Sequence, residues 1–105
     1  MITDKTVLFS HNAFNDLQAL VEHKTKRVTL NIYKRLKKCC EEICESGDCK
    51  KTPPELERIS VYQYSEISFE SFRMIYKNNS DEVKIFGIFD SRRNMTDILT
   101  KRLLK

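Results

Sequence analysis

The sequence predicts an α+β fold. An N-terminal strand and a helical hairpin pack on an antiparallel β-sheet, and a short helix closes the chain. Three observations carry this. Apolar residues recur at helical spacing in the first half and again near the C-terminus. They recur at period two through most of the second half. Asn78-Asn79-Ser80-Asp81, whose short side chains bond to nearby backbone, divides two of the strand-like runs.

Taken in order, Thr6-Val7-Leu8-Phe9 reads as a short strand with Val7 and Phe9 on one face. Ser10 is a good N-cap for a helix from about His11, its stripe being Phe14, Leu17, Leu20 and Val21. Polar residues 22–27 hold the bend. A second helix runs from Val28 or Thr29 to Glu45, with Val28, Ile32, Leu36, Cys40 and Ile43 or Cys44 facing inward. Gly47 can end it in the left-handed conformation. Residues 48–55 read as a loop, since Pro53-Pro54 removes two amide donors. The stretch from Ile59 to Tyr64 is β-like, with its phase slipping near Tyr62. Glu66–Phe69 is a strand, and Glu70-Ser71 turns into Phe72–Lys77. Beyond the Asn-rich turn, Glu82–Asp90 places Val83, Ile85 and Phe89 on one face and Phe86 and Ile88 on the other. A strand apolar on both faces is covered on both or central in its sheet. Thr96 is the expected cap of a last helix carrying Ile98, Leu99 and Leu103.

The 105 residues suit one domain spanning 1–105, and 40% hydrophobic content excludes a disordered composition. A net charge of +4 favours an acidic partner, peptide or nucleic acid, diluted by 15 acidic residues. No apolar run approaches bilayer length and Met1–Lys5 does not open a signal peptide, so no membrane is expected and the location is cytoplasmic. Cys39, Cys40, Cys44 and Cys49 match neither a secreted disulfide framework nor paired zinc ligands. Neither metal nor cofactor is expected. Cys40 and Cys44 are helix packing, with Cys39 or Cys49 exposed. His11 and His23 read as surface residues.

The polar exceptions carry the functional reading. Arg73 sits between Phe72 and Met74 and points to the opposite face, while Arg92 and Arg93 follow the last strand directly. The three guanidinium groups are expected to meet at one sheet edge. Arg73 can equally pair with Glu66 across two strands. Tyr76 is either a core residue or part of the binding surface.

Ser71-Phe72-Arg73-Met74-Ile75-Tyr76, the acidic turn, Val83–Phe89 and Asp90-Ser91-Arg92-Arg93 resemble the second half of RelE/ParE-superfamily toxins. Tyr64-Ser65-Glu66-Ile67 is similar to the family's Tyr-Arg-Glu-Ile segment, and Phe9-Ser10, Ala13 and Asp16-Leu17 to its first strand and helix start. The motif-like part spans residues 64–93. The resemblance implies a curved sheet under a helical hairpin, a cognate antitoxin as partner, and a role in plasmid stabilisation. It implies one of two activities, inhibition of DNA gyrase by binding or ribosome-dependent cleavage of mRNA. The nucleases carry arginine where Arg73 stands and a basic residue where Arg93 stands. They also carry lysines where this chain has Tyr64 and Glu66, and a C-terminal tyrosine near the position of Leu99. The first activity is therefore the expected one, with Arg92, Arg93, Arg73 and Tyr76 as binding residues. In the alternative, Arg73 and Arg93 would clamp phosphate and Glu66 would serve as base, because arginine, with a pKa above about 12, is a poor proton shuttle.

Overall fold

The computed structural model describes residues 5–46 and 51–104. The elements are β1 (Thr6–Phe9), α1 (His11–Val21), α2 (Lys26–Ser46), α3 (Pro54–Glu57), β2 (Ser65–Phe69), β3 (Phe72–Asn78), β4 (Glu82–Asp90) and α4 (Met95–Leu103). The strands form one sheet in the order β1-β4-β3-β2. β2, β3 and β4 make an antiparallel meander, but β1 runs parallel to β4. The expected antiparallel sheet is therefore mixed. Parallel neighbours need a long crossover, and the chain from α1 to β3 supplies it.

Local chemistry sets the helix boundaries. The Ser10 hydroxyl accepts from the Ala13 amide at 3.1 Å and starts α1 as expected. Thr25 does the same for Val28 at 3.2 Å, so α2 begins at Lys26, earlier than its apolar stripe. Asn94, not Thr96, caps α4 by accepting from the Asp97 amide at 3.2 Å. The expected C-cap Gly47 and Cys49 lie outside the described residues. Residues 51–64 depart most from expectation. Pro54 opens the one-turn α3, because proline at the first helical position loses no needed donor. A turn through Ser60 at φ 60° follows, and residues 59–64 form no strand.

Each face of the sheet has its own core. The α1–α2 hairpin covers Phe69, Met74, Tyr76, Val83, Ile85 and Ile88. On the other face α3 and α4 cover Tyr64, Ile75 and Phe89. The expectation that β4 is central and covered on both faces holds. The stripes hold at Leu17, Ile32, Leu36 and Ile43, with Leu20, Val21, Cys40 and Cys44 packed against the same core. Their leading residues Phe14 and Val28 are exposed instead, and Ala13 and Cys39 join the core. Cys39 is thus not an exposed thiol. Burial raises its pKa and pushes Cys40 to about 11, which keeps both poor nucleophiles.

A bulge in β4 explains the largest error of face. Ile75 pairs with Gly87 and Tyr76 with Ile85, leaving Phe86 as the extra residue. One inserted residue reverses the facing of everything beyond it. Val83 and Ile85 point to the hairpin, and past the bulge so does Ile88, while Phe89 points to α4. Gly87 permits this, because a Cβ there would lie 2.2 Å from Cζ of the Phe89 ring.

Candidate functional site

β1 ends at Phe9, opposite Ile85, so β4 beyond that point has an open edge. The start of α1 satisfies it. The Ser10 amide donates to the Ile85 carbonyl at 2.9 Å, and Asp16 accepts from the Ile88 amide at 3.1 Å. Asp16 also accepts from Arg102 of α4 at 2.6 and 3.3 Å. The Arg102 guanidinium lies 4.8 Å from the centre of the Phe89 ring, so it stacks as well as pairs. One carboxylate thereby joins α1, β4 and α4.

Arg73 occupies a different environment. It pairs with Phe89 and Ser68 and so shares their face of the sheet, the α3–α4 side. Glu66, opposite Ile75, is its diagonal neighbour on that face. Glu66 accepts from Arg73 Nε at 2.7 Å and Nη2 at 3.0 Å. Glu55 of α3 accepts from Nη1 at 2.9 Å and Nη2 at 2.8 Å. Four of the five guanidinium N–H groups are committed. The side chains are 13% (Arg73), 18% (Glu55) and 3% (Glu66) exposed. One guanidinium faces two carboxylates, and the positive charge of Arg58 also acts on Glu55. Hydrogen bonding to Glu55 holds the Arg73 pKa further up, and that bond holds Glu55 below the usual carboxylate value.

Tyr64 is buried on the same side of the sheet, edge-on to Phe86 at 5.4 Å, with Lys77 Nζ 4.8 Å from its ring centre. Burial raises its phenol pKa. Tyr76, a candidate binding residue, is 4% exposed in the hairpin-side core and presents no surface.

Arg92 and Arg93 do not join Arg73. Arg92 turns back on Asp90, its Nε donating at 3.1 Å and its Nη2 at 2.8 Å. Those bonds hold the exposed Asp90 carboxyl down to about 2. Arg93 is exposed, and among the described residues no carboxylate pairs with it. It lines two clefts of about 340 and 770 Å³. The smaller lies between the end of α1 and the sheet, and the larger runs beside α4.

The expected meeting of three arginines is thus resolved into a closed cluster and an open one. The sequence reading anticipated the Arg73–Glu66 pair. It missed Glu55, whose signal was an acid in the first turn after a proline. It noted Asp16 only as part of the family-like helix start and gave no role to Asp16, Lys24 or Arg102. Among the described residues, no group of three or more His, Cys, Asp or Glu side chains could hold a metal ion. No helix among them is long and apolar enough to cross a membrane.

No family model matches the sequence, and no curated protein matches it. A solved structure does. A chain of the "Chromosomal ParDE TA system from P. aeruginosa" superposes with a TM-score of 0.60 at 14% identity. The match covers 82% of this chain and 95% of that one. At that identity the likeness establishes a shared fold and no more.

Proposed function

We propose that this chain is the toxin of a type II toxin–antitoxin pair, silenced by a cognate antitoxin and acting on DNA gyrase by binding, without catalysis. The fold shared with a chain of a ParDE system supports the class. The Arg73 cluster supports the mode, and it is the observation that carries the reading. A phosphate clamp needs free guanidinium donors and a positive field. Arg73 has spent four donors on Glu55 and Glu66, and the two carboxylates that hold it occupy the place a phosphodiester would need. Glu66 is equally committed, and at 3% side-chain exposure it has no path to a substrate hydroxyl. Within this reading the chain works in the cytoplasm and stabilises the replicon that encodes it.

One observation favours ribosome-dependent mRNA cleavage as a second reading: the open cationic clefts at Arg93. Expression in a bacterial host without antitoxin separates the two. Growth arrest with relaxed plasmid and intact transcripts is the expected result. Fresh transcript ends inside translated codons would transfer the reading to the nuclease. Unchanged growth would remove the toxin reading altogether.

A further inference from the structure

We infer that the solvent-facing side of α2 is a docking surface for the phosphate backbone of duplex DNA, centred on Arg27, Lys34 and Lys38. The inference stands on how charge is distributed in this chain and goes beyond the toxin reading.

The positive charge is concentrated. Residues 26–38 hold six cations, Lys26, Arg27, Lys34, Arg35, Lys37 and Lys38, and no acid. The whole chain carries only +4, so everything outside this stretch is net acidic. Charge that serves solubility is spread with both signs mixed. Here it gathers on one side of one helix. Arg27, Asn31, Lys34 and Lys38 follow at steps of four, three and four residues, and all four are exposed. At 1.5 Å per residue they form a stripe roughly 16 Å long. It faces away from the buried Ile32, Leu36 and Ile43, with Arg35 and Lys37 on its flanks.

The helix gains nothing from this arrangement. Helix N-termini favour acids and C-termini favour bases. α2 has no acid in its first turn, where Lys26 and Arg27 stand, and no base in its last, where Glu45 stands. Lys34 and Lys38, one turn apart, repel each other. Ion pairs do not discharge the stripe either. Arg35 Nε lies 3.1 Å from the Glu70 carboxylate. Among the described residues no salt bridge ties Arg27, Lys34, Lys37 or Lys38 to an acid, although Glu41 and Glu42 stand one turn beyond the two last lysines. A cleft of about 440 Å³ borders the stripe, lined by Asn31, Lys34, Arg35, Lys38 and Glu70.

Duplex DNA fits this surface. It carries one negative charge per about 1.7 Å of axis, so a straight stripe of cations meets more phosphate than it can neutralise. Asn31 adds a donor for a phosphate or sugar oxygen. A single strand suits it less, because such sites stack bases on aromatic rings set among the cations. Tyr33, the exposed aromatic of α2, stands about 100° or more round the helix from Arg27, Lys34 and Lys38. An acidic peptide would find no apolar floor in the cleft.

The test is fluorescence anisotropy of a labelled mixed-sequence DNA duplex titrated with the full chain across a series of salt concentrations. A single-stranded RNA of equal length and a polyglutamate peptide are the competing probes. Three neutralised phosphates give a slope of log affinity against log salt of about −2.7, so affinity should fall about fortyfold between 50 and 200 mM salt. Lys34→Gln and Lys38→Gln should each weaken binding and make the slope shallower by about 0.9, which reduces the salt effect to about twelvefold. Lys101→Gln, an equal loss of charge on α4, should leave slope and affinity near the parent's. Circular dichroism checks that each variant is folded, and Arg27→Gln carries the same expectation should a lysine variant not fold. A slope shallower than about −1, α2 variants that behave like Lys101→Gln, or RNA or polyglutamate bound as tightly as the duplex would overturn the inference. The assay contains neither gyrase nor ribosomes. Failure to bind the duplex therefore leaves the toxin reading standing, and unaffected growth beside DNA binding removes the toxin reading alone.

Discussion

Arg73 and Arg93 are the same side chain in opposite circumstances. Arg73 is 13% exposed and commits four donors to two carboxylates from α3 and β2. Arg93 is exposed and lines two clefts, and among the described residues no salt bridge ties it to a carboxylate. An arginine at a recognisable position thus says little about its work until its neighbours are known. Carboxylates turn Arg73 into a bolt between α3 and the sheet, whereas Arg93 stays at the surface.

The comparison breaks first at Arg73. Arg73→Ala would strand Glu55 and Glu66 as partly or fully buried charges, and removing one partner of such a cluster typically costs about 3–5 kcal/mol. Urea unfolding would measure it. A loss below about 1 kcal/mol would mean that the cluster is solvated and Arg73 is free for other work.

Asp16→Asn comes next. It weakens a charged bond to Arg102 and an acceptor for the Ile88 amide, and about 2 kcal/mol is expected. Gly87→Ala should cost about 1–3 kcal/mol by driving the buried Phe89 ring aside. The unfolding midpoint in urea would report both losses.

Acid should also act on the Arg73 cluster. The hydrogen bond from Arg73 holds Glu55 below its ordinary value of 4.5. Stability from this depressed pKa is complete above about pH 4.5 and is lost as pH falls through the lower, folded value. Stability measured against pH should therefore fall less steeply below 4.5 in Glu55→Gln than in the parent. Identical slopes would exclude Glu55 as a contributor. The smallest effect belongs to Arg93→Ala, expected within about 0.5 kcal/mol of the parent by the same unfolding assay. The contrast with Arg73→Ala is what the two environments imply.

Much of this was legible in the sequence. Ser10, the helical spacing of Leu17, Ile32, Leu36 and Ile43, and the Asn-rich turn announced the hairpin and the meander. What was not legible shares one cause, dependence on partners remote in sequence. The parallel pairing of β1 with β4 joins Thr6 to Glu82. The bulge at Phe86 lies in the pairing of β4 with β3, where Ile75 meets Gly87 and Tyr76 meets Ile85, so period-two counting assigned Phe89 to the wrong face. Tertiary packing also overrode the β-like run from Ile59, because Pro54 had already committed the chain to a helical turn and Leu56 is buried in the second core. At the candidate site the Arg73–Glu66 pair was legible because both lie on adjacent strands. Glu55 and the α1–α4 bridge come from elements whose packing no local pattern specifies.

The most direct test of a binding rather than cleaving protein uses purified components. The full chain is incubated with translating ribosomes and, separately, with gyrase and relaxed plasmid. The predicted result is intact mRNA and loss of supercoiling. Codon-phased mRNA cleavage that disappears in Arg73→Lys, with gyrase unaffected, would contradict it and make Arg73 a catalytic residue after all.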